Sequence, residues 1–87
     1  MYDDLVCAMP QLLREKGYRF FFYSNEVGEP PHVHVSLNRS TAKFWLESVT
    51  LVRHAHFTPL ELREIERIIA RHKLEFLRRW DEHFYDS

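Results

Sequence analysis

With 87 residues, 45% of them hydrophobic and 15% aromatic, the chain has material for one small core and none for a second. Its formal charge of -1 excludes a global pull toward nucleic acid or membrane, so any such contact needs a local patch. Cys7 is the only cysteine, which excludes an internal disulfide, and no stretch approaches the roughly 20 apolar residues of a membrane span, so a soluble cytoplasmic protein is expected.

Residues 1 to 17 give conflicting signals: Leu5, Val6, Met9, Leu12 and Leu13 follow helical spacing, while Pro10 interrupts it. Asp3 and Asp4 stand where an export signal would carry basic residues. Gly17 then punctuates, and Tyr18 to Tyr23 is an aromatic run that predicts a strand. A loop rich in Asn, Gly and Pro follows from Ser24 to Pro31. His32 to Leu37 and Ala42 to Glu47 read as two further strands joined by the four residues Asn38 to Thr41.

That hairpin register sets Leu37 against Ala42, Val35 against Phe44 and Val33 against Leu46, so every apolar residue meets another. The opposite face then pairs Ser36 with Lys43, His34 with Trp45 and His32 with Glu47. The first strand adds Arg19, Phe21 and Tyr23 to this mixed face and gives Tyr18, Phe20 and Phe22 to the core. Thr58-Pro59-Leu60-Glu61 predicts a helix start with a hydroxyl cap, proline in the first turn and a glutamate to close a capping box. Leu62, Ile65, Ile69, His72, Phe76 and Trp80 continue an apolar stripe at spacings of three and four.

Unbroken from 59 to 84, such a helix would be about 39 Å long, against a diameter of about 31 Å for a compact chain of this size. Either a break near Arg71 to Lys73 or a partner surface must cover the overhang. This is the ground for expecting a homodimer or a protein partner on the stripe of the C-terminal helix.

The segments Gly17 to Glu26, Glu29 to Val35 and Ala42 to Glu47, with Phe57 to Leu62 and Trp80 to Phe84, occur in an order and at distances that resemble the bacterial domain of unknown function 4160 family. The resemblance covers about residues 9 to 84 and implies a small α+β fold in the bacterial cytoplasm, without an assigned activity. Family members commonly begin near a Met-Pro pair such as Met9-Pro10, and they are met beside small genes in arrangements that look like toxin-antitoxin pairs. Where the family often has glycine before the phenylalanine, this chain has His56 before Phe57, and no role for His54 and His56 beyond a local loop is implied.

Three uses of the mixed face are open. His32 and His34 with Glu47 form a two-histidine, one-carboxylate set suited to a divalent metal and hydrolysis, although histidines two apart on a strand have α-carbons about 7 Å apart. Arg19, Phe21, Tyr23, His32, His34, Lys43 and Trp45 together could stack bases and hold phosphates of RNA or single-stranded DNA, or contact a protein. Against both stands simple packing, with the helix or the N-terminal segment covering the face. The basic row Arg63, Arg67, Arg71 and Arg78 reads as a solvated helix face.

The expectation is therefore an α+β domain over residues 1 to 87, with a three-stranded, or with the N-terminal segment four-stranded, mainly antiparallel sheet over residues 18 to 47. It packs on one long or broken helix over 58 to 84. The expected function is a non-catalytic interaction protein of a two-gene module, with no cofactor assigned. A small metal-dependent hydrolase or nuclease and a nucleic-acid-binding platform are the alternatives.

Overall fold

The structure is a computed structural model that describes residues 11–23 and 28–85. Five strands form one antiparallel sheet in chain order: β1 (Gln11–Glu15), β2 (Tyr18–Phe21), β3 (His32–Leu37), β4 (Ser40–Trp45) and β5 (Thr50–Ala55). Two helices follow, α1 (Pro59–Arg71) and α2 (Lys73–Phe84). The α+β class and the antiparallel order agree with the sequence reading, and β1 is the strand allowed for in the N-terminal segment, but the sheet has five strands against the three or four expected. β1 lies in the segment whose spacing was contradictory, and β5 in a stretch that carried no strand signal.

The turns explain the order. Lys16 and Gly17 both have positive φ, at 55° and 86°, the backbone that a two-residue hairpin requires between β1 and β2. Asn38, at φ 55°, turns β3 into β4 through only Asn38 and Arg39, so Leu37 pairs with Ser40. The expected four-residue loop is therefore too long, and the register moves by two: Val33 faces Phe44, Val35 faces Ala42, His34 faces Lys43 and His32 faces Trp45. A shift of two keeps every side chain on its face and changes only its partner, which is why hydrophobic alternation could not detect it.

One face of the sheet forms the core. Phe20, Phe22, Val33, Val35, Phe44 and Leu46 are buried there against Ile65, Ile68 and Ile69 of α1 and Phe76 and Trp80 of α2. Each such side chain contributes about 1.5–3 kcal/mol when fully removed from water. Rings bridge the layers, Phe20 to Phe76 at 6.0 Å and Phe22 to Trp80 at 5.1 Å. Tyr18 ties β2 to α1 by donating its hydroxyl to Glu64 Oε1 at 2.8 Å. Burial, with this carboxylate beside it, pushes the phenol up to about 12.

The helix start is as the sequence predicts: Glu61 N–H donates to Thr58 Oγ1 at 3.1 Å, and Thr58 N–H donates to Glu61 Oε1 at 2.9 Å. The helix breaks at His72, whose N–H reaches the carbonyls of both Ile68 and Ile69. No proline or glycine marks this point, so packing bends the chain. The His72 ring stacks on Phe76 at 5.7 Å, and Glu15 of β1 meets Arg71 at 2.6 Å and His72 at 3.5 Å. The break falls within the stretch Arg71 to Lys73 where the sequence allows one, and with it both halves lay core residues of the stripe on the chain's own sheet. No helix among the described residues is long and apolar enough to cross a membrane.

Candidate binding face

The face of the sheet away from the helices carries Arg19, Phe21, His34, Lys43 and Trp45, with Tyr23 beyond the end of β2 and His32 at the start of β3. The helices pack mainly on the opposite face, and α2 reaches this one only at His32, through Trp80. Here side chains close over one another instead. Phe21 stacks on His34 with ring centroids 5.6 Å apart and 22° between planes, and Tyr23 meets His34 edge-on at 4.8 Å. His32 lies 5.1 Å from His34, 5.9 Å from Trp45 and 4.9 Å from Trp80 of α2. The Arg19 guanidinium sits 5.0 Å from the centre of Phe21, and Lys43 Nζ 5.0 Å from that of Trp45.

Polar groups are buried in this layer. His32 is fully enclosed, and His34 and Lys43 are less than one-tenth exposed. His32 Nδ1 lies 3.0 Å from the Pro30 carbonyl, a contact that places the proton of a neutral ring on Nδ1. Lys43 Nζ donates to Glu29 Oε1 at 2.9 Å, and the same carboxylate oxygen is 3.7 Å from His32 Nδ1. Glu29 thus satisfies the buried end of Lys43, whose Nζ sits over the Trp45 ring.

Glu47 is not part of this arrangement. It lies in the exposed turn after β4, where its backbone carbonyl accepts from Lys73 Nζ. The set His32, His34 and Glu47 expected across the hairpin is corrected by the two-residue register: Trp45 stands opposite His32. Glu29 is the carboxylate that the fold brings to His32 and Lys43. Among the described residues, no three His, Cys, Asp or Glu side chains are grouped to hold a metal ion. Cys7 lies outside the described residues.

A groove of about 340 Å³ opens beside the ring layer, lined among others by Phe21, Tyr23, His34, Lys43, Arg53 and His54. Arg53 pairs across the sheet with Lys43, whose Nζ is held by Glu29, so the groove sets the Arg53 guanidinium near aromatic rings. Such a groove suits an anionic partner group with flat or apolar neighbours. The sequence reading missed Glu29, Arg53 and His54. Glu29 heads the motif that runs to Val35, whereas His54, expected in a local loop, lies with Arg53 in β5.

The family model described as domain of unknown function (DUF4160) matches residues 17–81. The chain belongs to the domain of unknown function 4160 family. The family match runs from the β1–β2 turn into α2, so the binding face and β5 lie inside it and β1 lies outside. No curated protein and no solved structure matches the chain.

Proposed function

We propose that the protein is a non-catalytic interaction protein, one half of a two-gene, toxin-antitoxin-like module, which holds its protein partner on β5 and the adjoining groove. One observation carries this reading: all six residues of β5 are exposed although the strand is hydrogen-bonded into the sheet. A strand that buries none of its own side chains adds little to the core, and its outer edge presents backbone donors and acceptors to another chain. The helical stripe expected to take the partner gives Ile65, Ile68, Ile69, Phe76 and Trp80 to the core, which favours β5 over it as the docking surface. The hydrolase alternative is less well supported, because Trp45 and not Glu47 stands opposite His32.

A second reading, binding of RNA or single-stranded DNA, is favoured by Lys43 over Trp45 and by Arg53 beside the rings of the groove. Co-expression of the tagged protein with the product of its neighbouring gene, followed by affinity purification with mass spectrometry and nucleic-acid detection, separates the two. The expected result is a stoichiometric protein partner, lost on Leu51→Asp with an unchanged melting temperature. Recovery of nucleic acid without protein, or a partner indifferent to Leu51→Asp, would overturn the proposal.

A further inference from the structure

The stretch between Glu47 and Glu61 holds Arg53, His54 and His56 and no acidic residue. β5 occupies the centre of that stretch, and among the described residues no carboxylate pairs with Arg53 or His54. Arg53 lies opposite Lys43 and His54 opposite Ala42, and both β5 residues line the groove. Leu51, more than a third exposed, lies opposite Phe44. The register slips between Lys43 and Phe44, a bulge that leaves Val52 outside the ladder and also more than a third exposed.

We infer, on the basis of the function proposed above, that the partner contributes an acidic extended segment that adds to the β5 edge as a sixth strand. In it a carboxylate stands beside Arg53 and an apolar side chain beside Leu51. Backbone hydrogen bonds along the edge supply affinity that is indifferent to sequence, and the alternating side chains supply selectivity. The bulge and the basic residues guard the edge against indiscriminate pairing. A second copy of this chain is disfavoured by the same charges, because edge-to-edge pairing would bring two basic strands together. Arg53 is the cation that remains for the partner, since the Lys43 ammonium opposite it is already held by Glu29.

The test uses the full chain and a fluorescent nine-residue peptide in which Leu and Val alternate with Glu and Asp. Comparison peptides carry Lys for each acid, or proline at alternate positions. Anisotropy gives affinity, and amide hydrogen exchange gives the place of binding. The acidic peptide should bind, protect amides of Thr50 to Ala55, and weaken about five- to ten-fold on Arg53→Glu, with the lysine peptide gaining on that variant. Protection elsewhere, equal affinity for Arg53→Glu, or binding of the proline peptide would overturn the inference. So would self-association that protects β5, or an oligothymidine that competes for β5.

The neighbouring-gene purification distinguishes the two failures. A partner that is captured but is insensitive to Arg53→Glu and leaves β5 unprotected sinks the acidic strand alone. Capture of nucleic acid without protein sinks the function on which it rests.

Discussion

The two edges of the sheet are built in opposite ways. At β1, Leu12 is buried, Leu13 packs against the core, and Glu15 is fastened to Arg71 and His72 at the junction of the helices. At β5 every residue is exposed, and the strand is bounded by two non-glycine residues with positive φ, Val49 at 52° and His56 at 72°. Left-handed backbone at a non-glycine residue costs on the order of 1–2 kcal/mol. One edge is thus anchored by side chains, and the other is held by backbone pairing to β4 against local strain. Lys16 carries the same backbone at the end of β1, and Val49 packs against the core, so the strain that packing does not account for is that of exposed His56, beside an element that buries nothing.

Substitutions of the same chemistry at the two edges test this contrast most strongly. Leu12→Ala should cost about 2–3 kcal/mol, because it leaves a cavity between the sheet and the core. Leu51→Ala should cost less than about 1 kcal/mol, the range of surface positions. Urea unfolding of both variants measures the difference. Equal losses would mean that β5 is a structural edge and would remove the main support for its role in binding.

His56 offers a smaller effect of opposite sign. It is exposed and has no core packing to lose, so His56→Gly should relieve the left-handed backbone while adding disorder to the unfolded chain. The expected net result is a gain of up to about 1 kcal/mol with slower exchange of β5 amides, since the two terms nearly offset. His56→Ala, which keeps a side chain on the same backbone, should show no gain. A glycine variant less stable than the alanine one would show that this corner is not strained. Family members often carry glycine at this position, and the φ of His56 gives the physical reason why glycine suits it.

These positions also explain what the sequence could and could not disclose. The Thr58 cap, the core alternation of Tyr18, Phe20 and Phe22, and the assembly of Arg19, Phe21, Tyr23, His32, His34, Lys43 and Trp45 on one face were legible, because each follows from local spacing. β5 was not: a strand exposed on both faces has no alternation to read, and its turns use Val49 and His56 where glycine would have signalled them. β1 was obscured by the bulge between Gln11 and Leu13, which breaks the period of two. The break at His72 has no local signal either, since it arises from contacts with Glu15 and Phe76 far away in the sequence or on the next turn. Glu47 was assigned to the site by a turn two residues too long, an error that period-two reasoning cannot correct.

The smallest expected effect lies in the anchor of β1 and depends on pH. The hydrogen bond from Arg71, aided by the charges of Arg71 and His72, holds the Glu15 carboxyl below its ordinary value of 4.5. A carboxyl depressed in the folded state adds stability that is complete above its unfolded value and is lost as the pH falls through the folded one. Glu15→Gln should therefore lower the melting temperature slightly at pH 7, and the gap from the wild type should close as the pH falls below about 4.5. Glu64, depressed by Tyr18 and Lys16, titrates in both proteins, so it cancels in the comparison. β5 has no carboxylate to titrate, and the exchange of its amides should be the same in Glu15→Gln and wild type throughout. A gap that stays constant down to pH 3 would show that Glu15 acts through packing, and that charge does not distinguish the anchored edge from the open one.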